Sequence, residues 1–181
     1  MIIIMLAELF DFLRGESKAS HHYGAGNLLF ARGDEVGYFF LLEDGEVKLS
    51  RSLVNGKELV LHHSLAPSIV AEASIYSATY HCDAVCLSQC IVRKLPISRF
   101  LKLIDGNKKF SLLWSAHLAH NLQSARYHSE ILTMKKVSER LDAWLDWHSG
   151  DFPAKGKWKE IAAEIGVSPE ALYRELAARK F

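Results

Sequence analysis

Four side chains near the C-terminal end, Ser168, Glu170, Tyr173 and Arg174, have the types and spacing to contact nucleic acid. They lie in KEIAAEIGVSPEALYRELAAR, residues 159–179, whose pattern predicts two short helices joined by a turn. Ile161, Ala162 and Ile165 form the apolar side of the first helix, and Gly166 supplies the sharp turn. Ser168 caps the second helix, and Pro169 takes its first position, where a missing N–H costs nothing. Leu172 and Leu176 turn inward at i, i+4, which leaves Glu170, Tyr173 and Arg174 outside. A second helix of this kind fits the major groove of DNA. There Arg174 can donate a bidentate fork to guanine and Glu170 can accept from cytosine N4, while Ser168 and Tyr173 can reach phosphate or base edges. The same pattern suits an ordinary helical hairpin with Glu170 and Arg174 paired in solvent, and the segment by itself leaves both readings open.

Other reactive residue types are less organised. Cys82, Cys86 and Cys90 are evenly spaced, so one straight strand puts them on one face, with the first two about 13 Å apart. That excludes disulfides between neighbours and suits small buried thiols. His117 and His120 stand at i, i+3 on a predicted helix, a spacing open to metal binding, to pH response or to plain interface packing. His21-His22 and His62-His63 are adjacent in strands or loops, where neighbours point to opposite faces and chelate poorly. No nucleophile, base and orienter constellation, phosphate loop or zincin motif occurs, so neither an enzyme nor a metal site is expected.

The elements that must position these residues follow from pattern and composition. The chain of 181 residues has a formal net charge of +1, which excludes a polyanion-coating protein and leaves only local patches to consider. Hydrophobic residues at 49% and charged residues at 24% describe an ordinary globular composition. The opening MIIIMLAELF lacks a basic lead and is interrupted by Glu8, so it predicts an amphipathic helix burying Leu6, Leu9, Phe10 and Leu13 rather than a membrane span. An odd cysteine count without a signal peptide points to a reducing cytoplasm and no membrane partner.

From about residue 20 to 95 the period is close to two. Val36, Tyr38, Phe40 and Leu42 alternate into Asp44-Gly45, EVKLSRSLV runs to Asn55-Gly56, and KELVLHH leads out, which predicts hairpins in an antiparallel sandwich or roll. Residues 68–78, SIVAEASIYSA, predict a short helix, after which YHCDAVCLSQCIVRKL resumes the strand pattern. After Pro96 the pattern is helical for some fifty residues, with a break at Gly106-Asn107. From Lys108 to His128 apolar residues occupy two stripes: Phe110, Leu113, Trp114 and His117 on one side, Leu118, Leu122 and Ala125 on the other. A helix apolar on two sides needs two partners, so one stripe is expected to cover the roll and the first to meet a second copy of the chain. Gly150 to Gly156 predicts a turn-rich linker.

A β-roll, a long helix and a helix-turn-helix in this order resemble the cyclic-AMP receptor protein/FNR family of bacterial transcription regulators. The residues carrying the resemblance are FARGDEVGYFFLLEDGEVKL, AEASIY, AVCLSQCIVRKLPISRF and IAAEIGVSPEALYREL. It implies an α+β fold with an N-terminal antiparallel, jelly-roll-like, cyclic-nucleotide-binding-like domain over residues 1–100. A dimerisation helix over 101–134 and a helix-turn-helix domain over 135–181 complete it. It also implies a cytoplasmic homodimer that reads a pseudo-palindromic DNA operator, with RNA polymerase as a further partner.

The family's nucleotide chemistry is mostly replaced here. The effector pocket of such a protein would comprise Ala71, Glu72, His81, Cys82, Ala125 and Arg126. Ala71-Glu72 stands where a Gly-Glu pair offers N–H groups to phosphate and a carboxylate to ribose. His81 and Cys82 stand at the Arg-Ser pair that holds the cyclic phosphate, and Ala125 and Arg126 at the hydroxyls that meet adenine. The resemblance therefore predicts an unidentified effector other than cyclic AMP. One alternative uses His81 and Cys82 as a haem or thiol redox pair. Another is a dimeric interaction protein with a degenerate helix-turn-helix. From Lys135 onward nine Lys/Arg face eight Asp/Glu, so phosphate affinity is expected to be modest. The sequence stops at Phe181, short of the β-hairpin wing usual in the family, so a short form without those contacts is expected.

Overall fold

The computed structural model describes residues 2–17, 19–56, 58–148, 150, 156 and 158–179. It contains two compact units, Met1–His117 and Leu118–Phe181. In the first, helix α1 (Ile2–Glu16) precedes β1 (Ser20–Tyr23), β2 (Leu28–Phe30), β3 (Tyr38–Asp44), β4 (Glu46–Ser52), β5 (Glu58–Leu65) and β6 (Ser68–Val70). A single 3₁₀ turn (Glu72–Ser74), β7 (Asp83–Cys86), β8 (Cys90–Pro96) and α2 (Ile97–Gly106) follow. Helix α3 (Lys108–Thr133) runs into the second unit, where α4 (Val137–Trp147), α5 (Trp158–Glu164) and α6 (Pro169–Ala178) complete the described chain.

The strands form two antiparallel sheets, ordered β1-β8-β3-β6 and β2-β7-β4-β5. Phe40, Leu42, Val70 and Val92 of the first meet Phe30, Val47, Leu49, Ala84 and Cys86 of the second in one core. The opposite face of β3 is buried as well. Phe39 and Leu41 pack with Leu9, Leu13, Phe100, Phe110 and Trp114 from the three helices, so the run YFFLL reads apolar on both faces where alternation suggests only one. Glu43 Oε1 lies 2.6 Å from Arg14 Nε and 2.8 Å from Arg93 Nε, which ties α1 to the first sheet.

Asn55-Gly56 joins the paired strands β4 and β5, as a hairpin turn should. Asp44-Gly45 does not make the expected hairpin: β3 and β4 belong to different sheets, and the chain crosses between them there. Gly45 has φ 93°, and a Cβ on it would meet Gln89 O and stand 2.7 Å from Cys90 Sγ, so only glycine fits this crossing. The three cysteines likewise do not share one strand. Cys86 ends β7 and Cys90 begins β8 in the facing sheet, while Cys82 precedes β7; all three are buried free thiols.

The stripe assigned to a second copy requires correction. Phe110, Leu113 and Trp114 are buried at 0%, 6% and 2% exposure in the chain's own core beneath β3, and the His117 ring lies tilted with its centre 5.4 Å from that of Trp114. Phe110 and Trp114 pack against Phe39 and Phe100, and with Leu113 in the same core these three side chains leave no surface for a partner. The open stripe is the other one: Leu118 and Leu122 are exposed, with Ala125 beside them. Asn107 accounts for the break between α2 and α3, since its Oδ1 accepts from Phe110 N at 3.0 Å and caps the longer helix.

The second unit has its own core of Ile131, Leu141, Trp144, Ile161, Ala162, Ile165, Leu172 and Leu176. Residues 151–155 of the expected linker, and Phe181, lie outside the described residues.

Candidate functional site

Strand β6 delivers the chain into Ala71, a buried non-glycine residue at φ 78°. An L-residue in this left-handed conformation costs roughly 1 to 2 kcal/mol, which a glycine avoids. The turn then closes with Ser74 N donating to Ala71 O at 3.0 Å. Glu72 follows, and burial pushes its carboxyl above the usual range, partly offset by a hydrogen bond from its own N–H.

Ser74 reaches across to the segment before β7, where its Oγ is 2.8 Å from His81 Nδ1. His81 also accepts at its carbonyl from Arg51 Nε, at 2.7 Å. Arg51 enters from β4, whose Ser50 pairs with Asp83 in β7. Burial lowers the His81 pKa and the nearby guanidinium lowers it further, which favours the neutral imidazole. Cys82 is buried, and burial raises its thiol pKa; Arg51 opposes that rise, while Asp83 and Glu72 add to it. Such a thiol stays protonated and packs as an apolar group, which is poor chemistry for a redox nucleophile.

Of the six sequence-derived pocket residues, the structure thus gathers Ala71, Glu72, His81 and Cys82 and adds Arg51 and Ser74. Ala125 and Arg126 are exposed on the second unit's part of α3. Arg51 escapes a motif search because it lies thirty residues upstream of His81, on a strand that becomes a neighbour only through sheet pairing. The signal available was its isolation, since no other arginine occurs between Arg32 and Arg93.

The second unit presents Ser168, Glu170, Tyr173 and Arg174 together on an exposed face at the start of α6. Ser168 Oγ accepts from Ala171 N at 3.2 Å, capping the helix behind Pro169. Glu170 is held below the usual carboxylate range by its own N–H, the Ser168 hydroxyl and, more weakly, Lys159. Tyr173 leans on Trp158 with ring centres 5.8 Å apart. Arg174 has no ion-pair partner among the described residues, so the solvated Glu170–Arg174 pair is not formed.

Arg140 ties the turn between α5 and α6 to the end of α3. Its guanidinium donates to the carbonyls of Met134, Ile165, Gly166 and Leu132 at 2.8, 2.8, 2.9 and 3.0 Å. Gly166, at φ 66°, lets the chain turn where a Cβ would stand 2.6 Å from Leu132 Cδ2. Arg179 is also occupied, by Glu175 Oε1 at 2.7 Å, by Asp142 and by Ser138 O at 3.1 Å. Among the described residues no cluster of three His, Cys, Asp or Glu could hold a metal ion. His120 stacks on Trp147 at 6.4 Å. No described helix is long and apolar enough to cross a membrane.

Residues 20–107 match the family model described as the cyclic nucleotide-binding domain. An uncharacterized protein of Haemophilus influenzae is 30% identical over 97 residues, spanning 53% of this chain and 75% of that one. Residues 20–107 thus form a domain of the cyclic nucleotide-binding type. The fold is similar to those of several solved bacterial proteins. FixK2 from Bradyrhizobium japonicum superposes with a TM-score of 0.71 at 17% identity, over 90% of this chain and 85% of that one. The c-di-GMP-responsive global regulator CLP of Xanthomonas campestris gives 0.68 at 18%, over 96% and 91%. Thermus thermophilus catabolite activator protein gives 0.56 at 22%, over 94% and 82%. The matched segment contains Ala71, Glu72 and the neutral imidazole of His81.

Proposed function

We propose that this chain is a homodimeric, cytoplasmic, DNA-binding transcription regulator of the CRP/FNR type, not an enzyme, whose roll takes an effector other than cyclic AMP. The observation that carries this reading is the exposed set Ser168, Glu170, Tyr173 and Arg174, on a capped helix braced by Arg140, in a chain whose other unit is a cyclic nucleotide-binding roll. A guanidinium without a protein partner, four positions from an ionised carboxylate, suits base-edge reading in a major groove. The functional division remains sensor 1–100, dimerisation helix 101–134 and helix-turn-helix 135–181. Leu118, Leu122 and Ala125 form the dimer contact in place of the buried stripe. RNA polymerase is the partner that such a regulator meets beside a promoter.

The near balance of nine basic and eight acidic residues from Lys135 onward, with Arg140 and Arg179 engaged internally, favours a second reading as an interaction protein. Selection of operators from random DNA tests between them: the regulator enriches a two-fold pseudo-palindrome, the interaction protein enriches nothing. The redox alternative at His81 and Cys82 finds no support in a buried, protonated thiol. An absorption spectrum without a Soret band would remove its haem form.

A further inference from the structure

Two sulfurs that neither reading uses meet inside the roll. Cys86 ends β7 in one sheet and Cys90 begins β8 in the facing one, with Leu87, Ser88 and Gln89 between them. Both side chains enter the core between the sheets and are buried free thiols. We propose that Cys86 and Cys90 form a disulfide on oxidation by a small hydroperoxide, and that Cys82 takes no part. The straight-strand spacing that keeps neighbouring cysteines apart covers only the first pair: about 13 Å of extended chain separates Cys82 from Cys86, whereas Cys90 has crossed to the other sheet.

The Glu46 carbonyl draws the pair together. It accepts from Leu87 N at 2.8 Å and from Cys90 Sγ at 3.3 Å, so the Cys90 sulfur lies against the residue that follows Cys86. The Cys86 S–H donates to Cys90; burial, that hydrogen bond and the neighbouring sulfur push the Cys86 thiol up to about 12. Cys86 therefore keeps its proton, and Cys90 is the sulfur that meets the oxidant. Further polar atoms adjoin it, the Ser88 carbonyl at 3.6 Å and the Ser88 hydroxyl at 4.0 Å. Solvent is near, because Leu87 and Gln89 in the same short connection are exposed. Gly45 leaves the sulfur its space, since a Cβ there would stand 2.7 Å from Cys90 Sγ. A solitary buried thiol such as Cys82 is inert, but a second thiol in contact captures the first oxidation product before it climbs to sulfinic acid.

In the first step the Cys90 sulfur attacks a peroxide oxygen, the O–O bond breaks, and Cys90 becomes a sulfenic acid as one water leaves. The Cys86 sulfur then attacks the Cys90 sulfur, the S–O bond breaks, and hydroxide leaves with the Cys86 proton as the second water. The thiol pair loses two electrons, and hydrogen peroxide takes them. In the test, the folded full chain is treated with millimolar hydrogen peroxide, then unfolded, alkylated with N-ethylmaleimide and mapped by mass spectrometry after chymotryptic cleavage. Cys82 should carry the alkyl group. The Cys86 and Cys90 fragments should appear linked, lighter by two hydrogens, and should separate on reduction with dithiothreitol. Cys82→Ala should leave the bridge unchanged, and Cys86→Ala should abolish it and carry Cys90 on to sulfinic acid. A bridge containing Cys82, a bridge between two chains, sulfinic acid at Cys90 in the wild type, or alkylation of all three thiols after the treatment would overturn the assignment. The map is read on the wild type, so a variant that fails to fold leaves the test intact.

Discussion

Ser168 serves two partners, accepting from Ala171 N while its hydroxyl supports the Glu170 carboxylate, so helix capping and the proposed reading face share atoms. Arg174 shares nothing. Its replacement by alanine should cost about 1 to 3 kcal/mol of operator affinity and relax base preference at one symmetric position. Lys159→Ala should instead weaken all sequences alike and reduce the salt slope by about one unit, as a phosphate contact does. Binding measured on operator and scrambled DNA over a salt series separates the two. Glu72 gives a pH signature of the roll. Its folded pKa lies above the unfolded value, so the native state holds the proton more tightly and stability falls as pH rises through the folded pKa. Glu72→Gln should therefore raise the thermal midpoint at neutral pH, with the gain vanishing below the ordinary carboxylate range. A gain that persists in acid would assign the effect to packing instead of charge.

At the scale of elements, local chemistry in the sequence located the caps and turns well. Ser168-Pro169 starts α6, Asn107 starts α3 and Asn55-Gly56 closes β4 onto β5, because each depends on backbone preferences a few residues wide. What the pattern left hidden was decided by distant contacts. The Asp44-Gly45 crossing looks like a hairpin until the strands on either side join different sheets, and Arg51 becomes a site residue only when β4 lies beside β7. The two stripes of α3 were visible, but which one met the roll depended on Phe39 and Phe100, aromatic residues well away in sequence. Arg140 was equally invisible, since the four carbonyls it serves gather only in the folded unit. Arg140→Ala strands those acceptors and should destabilise the second unit by about 2 to 4 kcal/mol, seen as faster amide exchange in α4–α6. Slowed or unchanged exchange there would mean that water replaces the guanidinium without loss.

At the scale of the whole molecule, the corrected stripe makes two substitutions behave differently. Leu122→Glu places charge on an exposed position and should yield folded monomers at micromolar concentration, as sedimentation velocity would show. Leu113→Glu places charge in the core beneath β3 and should unfold the first unit, visible as lost near-ultraviolet dichroism from Trp114. A folded monomer from Leu113→Glu would restore the first stripe to the interface. In the proposed dimer the α6 face reads DNA as a symmetric pair. Operator selection from random DNA at low salt, with the wild type and Arg174→Ala side by side, tests it most directly. The wild type should enrich a pseudo-palindrome with half-sites about one helical turn apart, and Arg174→Ala should lose preference at one position in each half. Enrichment of no sequence by the wild type would contradict the claim and leave a protein that binds other proteins.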